Sequence, residues 1–281
     1  MPMPYRRVRV SEGTIVDTNT RTALITGASS GIGYELARLF ARDRYDLVLV
    51  AKSQQRLELT TGELSREFGV RIQAISKDLS LPEAPEDVAA ALKGRTRIDV
   101  LINDAGFATF GPFLEIPADV ELEMMQLNMM ALTRLSKLFA PEMVARRSGK
   151  ILNVASTAAF MPGPLMAVYY ASKAYVLSFS QALACELAPS GVGVSVLCPG
   201  PTHTGFQRRA KMERSKVFDS GVMDARSVAR AGYRGLMQNK TVIIPGVRNK
   251  LTALFAKAAP RGLMPRLVLE FQKPHGDIAA R

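Results

Sequence analysis

No apolar run in this chain of 281 residues reaches 18 residues without interruption, although 47% of it is hydrophobic. A membrane-spanning helix is therefore not expected. The first residues, Met1 to Arg9, lack a secretory apolar core, and residues 1–20 read as a mobile or loosely packed leader. There are only two cysteines, Cys185 and Cys198, both in apolar surroundings and without metal-ligand spacing. They read as buried small hydrophobes in a reducing compartment, so a cytoplasmic location is expected. Of two histidines, His203 stands alone in a loop; it is expected to line a pocket or meet solvent, and no metal is expected. Internal repeats and low-complexity linkers are also absent. Lys and Arg outnumber Asp and Glu by 37 to 25, a formal net charge of +12. The basic residues are scattered, with no clustered face and no stacking aromatics, so nucleic-acid binding is not expected. Most of them read as solvated surface.

What is present is a regular alternation. Strand-like apolar segments recur at Ala23–Thr26, Leu47–Val50, Ile72–Ile75, Val100–Ile102, Ile151–Val154, Val194–Leu197 and Val242–Ile244. Helical patterns over Gly33–Arg42, Gln54–Phe68, Glu86–Leu92, Asp119–Arg146, Val168–Leu187 and Ala225–Met237 separate most of them. Strand and helix in alternation predict one α/β domain, a doubly wound, Rossmann-like parallel sheet. Its ligand crevice lies beyond the strand C-termini, where strand order reverses. Gly27, Lys52, Asp78, Asn103, Ser156 and Pro199 each follow a strand and converge there.

Two local patterns carry chemistry. Thr26-Gly27-Ala28-Ser29-Ser30-Gly31-Ile32-Gly33 joins the first strand to an amphipathic helix. Such glycines let a pyrophosphate approach a helix N-terminus. After the second strand, Ala51-Lys52-Ser53 contains no acid to bind a ribose diol, and Lys52 suits a 2′-phosphate; Ser53 and Arg56 stand near enough to assist. NADP(H) is the cofactor expected. Farther on, Tyr169 and Lys173 are four apart and share a helix face. An ammonium near the phenol favours its ionised form, making Tyr169 a general acid or base for a carbonyl/alcohol pair. Ser156, thirteen residues earlier, can hydrogen-bond the same oxygen.

These motifs, in this order, resemble the short-chain dehydrogenase/reductase family over roughly residues 21–247. The resemblance implies a hydride-transferring oxidoreductase with a catalytic tetrad of Asn128, Ser156, Tyr169 and Lys173. It implies cofactor contacts from the turn (Gly27, Ser29, Ser30, Gly31, Ile32, Gly33), and from Lys52, Tyr169 and Lys173. Asp78 and Leu79 would touch the adenine. Asn103-Asp104-Ala105-Gly106 resembles the family's N-N-A-G segment, with Asp104 as a departure that adds a carboxylate near the cofactor; Asn103, Ala105 and Gly106 would contribute contacts. Pro199-Gly200-Pro201-Thr202-His203-Thr204 resembles its nicotinamide loop, so Pro199, Gly200, Thr202 and Thr204 join the site. Asn128 would hold a water linking Lys173 to solvent. A homodimer or homotetramer through helices 119–146 and 168–188 is also implied.

The stretch between Ser156 and Tyr169 is apolar and adaptable. Phe160, Met161 and Met166, with Phe107 and Phe110, are expected to line a pocket around Ser156 and Tyr169 for a small apolar carbonyl or alcohol, such as a ketone, a 3-oxoacyl thioester or a steroid-like molecule. Residues 248–281 carry seven basic residues (Arg248, Lys250, Lys257, Arg261, Arg266, Lys273, Arg281) against Glu270 and Asp277. Leu251, Leu254 and Phe255 recur at helical spacing, as do Leu263, Leu267 and Phe271, with Pro260 and Pro265 breaking the run. This extension is expected to be a basic amphipathic cap packed on its own domain or a second subunit, with a membrane surface as the less favoured partner. The alternative to an enzyme is a non-catalytic NADP-binding sensor or scaffold on the same fold.

Overall fold

The computed structural model describes residues 20–210, 221–260 and 262–272. The expected leader lies outside the described residues except for Thr20. Seven parallel strands form one sheet in the order β3-β2-β1-β4-β5-β6-β9. They are β1 (Thr22–Thr26), β2 (Asp46–Ala51), β3 (Ile72–Ser76), β4 (Val100–Asn103), β5 (Gly149–Val154), β6 (Val192–Leu197) and β9 (Val242–Ile243). A short separate pair, β7 (Thr202–His203) with β8 (Met223–Asp224), follows β6 in sequence.

Period-two alternation places each strand's side chains on opposite faces. In β1, Ala23 and Ile25 enter one core and Leu24 the other; in β2, Leu47 and Leu49 join the first and Val48 and Val50 the second. Helices α1 (Gly31–Arg42), α2 (Gln54–Phe68) and α8 (Ala225–Met237) cover the first face. Helices α3 (Ala84–Leu92), α5 (Leu132–Ala145) and α6 (Ala167–Leu187) cover the second. Both faces are thus dry, and fully burying each leucine or isoleucine contributes about 1.5–3 kcal/mol.

The long helix expected over 119–146 is divided. It begins as α4 (Ala118–Met125), widens to a π-helical segment over Gln126–Ala131, and resumes as α5. Asn128 lies in the wide segment, and its side chain hydrogen-bonds the loop after β4; such single π-helical turns are frequent at functional sites. The C-terminal extension forms α9 (Val247–Ala258) and α10 (Met264–Gln272), after a single turn α7 (Phe206–Arg209) earlier in the chain. Pro265 does not interrupt a helix as expected. It occupies the first turn of α10, where no backbone donor is required. Arg261, Lys273, Asp277 and Arg281 lie outside the described residues. No helix among the described residues is long and apolar enough to cross a membrane. Cys185 is exposed, contrary to expectation, because it faces outward near the end of α6; Cys198 is buried directly after β6.

Candidate active site

Strand order reverses at β1, and a cavity of about 570 Å³ opens above the strand C-termini there. The turn after β1 forms its floor. Gly27 has φ +70° and packs so tightly on the segment after β4 that a Cβ would lie 2.9 Å from Ala105 N. Gly33 is equally enclosed: a Cβ would lie 2.6 Å from Gly27 O and 2.7 Å from Asp104 Oδ2. Gly27, Ser29, Ser30, Gly31 and Ile32 line the cavity, while Gly33 lies behind them in α1. Ser30 caps α1 without a side-chain hydrogen bond to it, and the first turn carries no acid. The helix therefore presents backbone N–H groups with no side-chain cap, an arrangement suited to a pyrophosphate.

Thr26, not singled out in the sequence, ties the two central strands together. Its Oγ1 donates to Ile102 O at 3.3 Å and accepts from the backbone N–H groups of Asp104 and Ala105, both at 3.1 Å. Its position as the last residue of β1, against β4, was the available signal. Ala105 and Gly106 line the cavity, as does Asp104. Asn103 does not. Its side chain turns beneath the site, donating to Asn153 Oδ1 at 2.9 Å and to Ser136 Oγ at 3.4 Å. As the last residue of β4 it follows the pleat inward.

Lys52, Asp78 and Leu79 all border the cavity, together with Ser53 and Arg56. Lys52 is largely exposed and pairs with Asp78 at 2.6 Å. Burial works to raise the Asp78 carboxyl, but hydrogen bonds from Lys52 and Ser80 outweigh it and hold the group below its usual range. Lys52 is thus engaged by a neighbouring acid, and Arg56 is a second cation at the same rim.

Ser156, Tyr169 and Lys173 meet at the other end of the cavity. Ser156 Oγ accepts from Ala158 N at 3.1 Å, which fixes the serine at the entry of a short turn over Thr157–Phe160. Its hydroxyl donates to Pro199 O at 3.5 Å and stands beside the Tyr169 phenol. Lys173 Nζ donates to Val154 O at 2.9 Å and lies 5.8 Å from the centre of the Tyr169 ring. The net lowering expected for the phenol's pKa is not met, although Lys173 lies beside the ring. Burial pushes Tyr169 up, the nearby Ser156 hydroxyl opposes it only in part, and Tyr170 adds to the rise. The ammonium is spent on a carbonyl and is itself pushed down to about 8 by burial, with Asp104 pulling the other way.

Asn128 is buried and does not line the cavity. It accepts from Phe107 N at 3.2 Å and donates to Phe107 O at 3.0 Å and Ser172 Oγ at 3.2 Å. Ser172 in turn donates to Tyr169 O at 2.7 Å. Asn128 thereby joins the loop after β4 to the backbone of α6, a link through Ser172 that the sequence did not signal.

Pro199, Gly200, Thr202 and Thr204 line the cavity above the glycine turn. A Cβ on Gly31 would lie 3.1 Å from Thr204 Cγ2, so this loop closes directly on the turn after β1. His203 is exposed in β7, and no cluster of three potential metal ligands exists among the described residues. On the substrate side, Phe107 and Met166 line the cavity with Tyr170 and Phe206. Phe160 and Met161 do not. They are taken up by the C-terminal helices, packing against Ala256, Met264 and Val268. Phe110 packs instead with Ala108, Met124 and their neighbours behind the cavity wall.

Fold and site together define a Rossmann-like α/β protein with a serine–tyrosine–lysine centre at its strand C-termini. Residues 21–215 match the short chain dehydrogenase family, and the chain belongs to that family. It is 36% identical over 177 residues to a very-long-chain 3-oxoacyl-CoA reductase of Pyrenophora tritici-repentis, covering 61% of this chain and 52% of that one. The chain thus spans about half the length of that relative. Among solved structures, it resembles a short-chain dehydrogenase from Sphingobium yanoikuyae in complex with NADPH: TM-score 0.77, 36% identity, 93% of this chain and 99% of the other. It also resembles the bulky-bulky ketone specific alcohol dehydrogenase from Comamonas testosteroni: TM-score 0.74, 33% identity, 92% and 98% coverage.

Proposed function

We propose that this protein is a cytoplasmic, homo-oligomeric, NADP(H)-dependent oxidoreductase that interconverts an apolar, bulky carbonyl compound and its secondary alcohol. The observation that carries this reading is the convergence of Ser156, Tyr169 and Lys173 on one cavity with the uncapped N-terminus of α1. The residues fit a dinucleotide: glycines leave backbone room, α1 offers donors for phosphate, and Lys52 and Arg56 supply positive charge at the far rim. Bound there, the nicotinamide cofactor supplies or accepts the hydride.

The chain's own residues handle the oxygen. Written for reduction, the carbonyl oxygen accepts hydrogen bonds from Ser156 Oγ and the Tyr169 hydroxyl. Burial keeps Tyr169 in its protonated form at neutral pH, so it holds the proton that the developing alkoxide needs. Lys173 stabilises the negative charge left on the phenol, and Asn128 connects its surroundings toward solvent through water. Such general acid help is worth about 10²–10⁴-fold in rate. Phe107, Met166, Tyr170 and Phe206 favour an apolar substrate body. The names of the 3-oxoacyl-CoA reductase and the bulky-ketone dehydrogenase agree with that preference. Leu122, Met125, Met130 and Tyr175 are exposed on α4, the π-helical segment and α6, apolar surface that association of subunits would cover. The test is NADPH consumption over a panel of ketones, aldehydes, 3-oxoacyl thioesters and ketosteroids. Turnover of hydrophobic ketones or thioesters is expected; binding of NADPH without turnover of any member would favour the sensor reading.

A further inference from the structure

The apolar residues of α9 do not pack on the domain as the sequence pattern suggested. The helix is seated by its small and polar residues: Asn249, Ala253 and Ala256 are buried, and Asn249 Nδ2 donates to Pro245 O at 2.8 Å. The Asn249 amide also fills the space where a Cβ on Gly200 would stand, which fixes α9 against the loop over the cavity. The opposite side of the helix carries Val247, Leu251, Leu254 and Phe255, exposed to 73, 61, 65 and 57%. At 3.6 residues per turn these four form one stripe. Lys250 and Lys257 flank it on one side, and α9 contains no acid. An apolar stripe edged by cations is the pattern of a helix lying in a lipid interface.

We propose that this outward face of α9 docks on an anionic lipid surface. The charge pattern selects that occupant over a second copy of the chain. A symmetric self-contact would bring the basic edges of two such helices together with no acid from either helix to neutralise them. Anionic headgroups neutralise them directly, and the stripe enters the acyl boundary. The position gives the contact a use. The α9 helix packs beside the turn at Thr157–Phe160, with Lys257 Nζ 5.2 Å from the centre of the Phe160 ring, so docking sets the mouth of the cavity near the membrane. An apolar molecule partitioned in lipid would then have a short path to Ser156 and Tyr169.

The test is flotation of the full chain with two kinds of vesicle, phosphatidylcholine alone and phosphatidylcholine with roughly one-third phosphatidylserine. Binding is expected to the second and not the first, and to weaken with added salt. Leu254→Glu with Phe255→Glu should abolish it. Lys250→Ala with Lys257→Ala should weaken it by about fivefold for each charge removed. Circular dichroism and thermal midpoints establish that both variants fold, and sedimentation velocity follows their oligomeric state. No binding by the parent chain, or equal binding by parent and Glu variant, overturns the proposal. So does a parent that ignores vesicles while the Glu variant loses subunits, which would assign the face to a second copy. None of these readouts requires turnover, so the proposal stands or falls separately from the enzymatic reading.

Discussion

Asn128 and Lys173 both crowd the space beside Gly106 that a side chain there would need. A Cβ at that position would lie 2.9 Å from Asn128 Oδ1 and 3.6 Å from Lys173 Nζ. Asn128 cannot easily retreat, because Phe107 and Ser172 hold its carboxamide at both ends. Gly106→Ala should therefore displace the asparagine or the lysine. We expect kcat to fall by about tenfold to a hundredfold, within the range for general acid–base groups. Steady-state kinetics on the best substrate, with a thermal melt as control, makes the check; an unchanged kcat would mean that the packing around Gly106 has no catalytic consequence.

Lys52 and Arg56 set the charge at the cavity rim. Lys52→Ala should weaken NADPH binding by about 10–100-fold, the worth of a charge-assisted hydrogen bond, and leave NADH nearly unaffected. Arg56→Ala should act in the same direction, since both side chains border the cavity. Dissociation constants by fluorescence titration decide it. Tighter binding of NADH than NADPH by the unmodified chain would contradict the cofactor assignment.

Tyr170 and Gln272 supply a third test. Gln272 Nε2 donates to the Tyr170 hydroxyl at 2.6 Å, so the last residue of α10 is pinned to a cavity-lining side chain. Burial pushes Tyr170 up to about 12, so the phenol remains a neutral acceptor across the working pH range. Gln272→Ala leaves a buried hydroxyl without that partner and should cost about 1–3 kcal/mol of stability. Tyr170→Phe in the same background should add little, because the two side chains share one bond. Chemical denaturation of both single variants and the double variant measures the coupling; strict additivity would show that the bond contributes nothing.

The pH dependence follows from Lys173. It is pushed down to about 8, so it carries charge below that pH and loses it above. The charge stabilises the phenolate that forms as Tyr169 gives up its proton. The reduction rate should accordingly be flat through neutrality and fall as pH rises through about 8. A kcat/KM profile that rises over that interval would contradict the assigned sign.

Much of this site could be read from the sequence wherever a residue's role depends on its own strand or helix. The turn from Thr26 to Gly33 follows an apolar strand, and its glycines are needed where chain meets chain. Tyr169 and Lys173 share a face of α6 because four residues make about one turn. Roles that depend on what packs from elsewhere were not legible. Phe160 and Met161 look like pocket residues until α9 and α10 cover them. Asn103 looks like a cofactor contact until the pleat of β4 turns it toward Asn153. Lys52 reads as a lone cation because its partner Asp78 arrives from the end of another strand. The direction of the Tyr169 shift is not legible in the sequence, because burial, a property of the assembled fold, outweighs the opposing effect of Ser156.

In the proposed mechanism Tyr169 is the proton donor. The most direct measurement is turnover and NADPH affinity in Tyr169→Phe, which removes one hydroxyl and almost no volume. We expect turnover to fall by about 10²–10⁴-fold, the worth of a positioned general acid, while the NADPH dissociation constant stays nearly unchanged. Turnover close to that of the unmodified chain would contradict the role assigned to Tyr169 and the mechanism built on it.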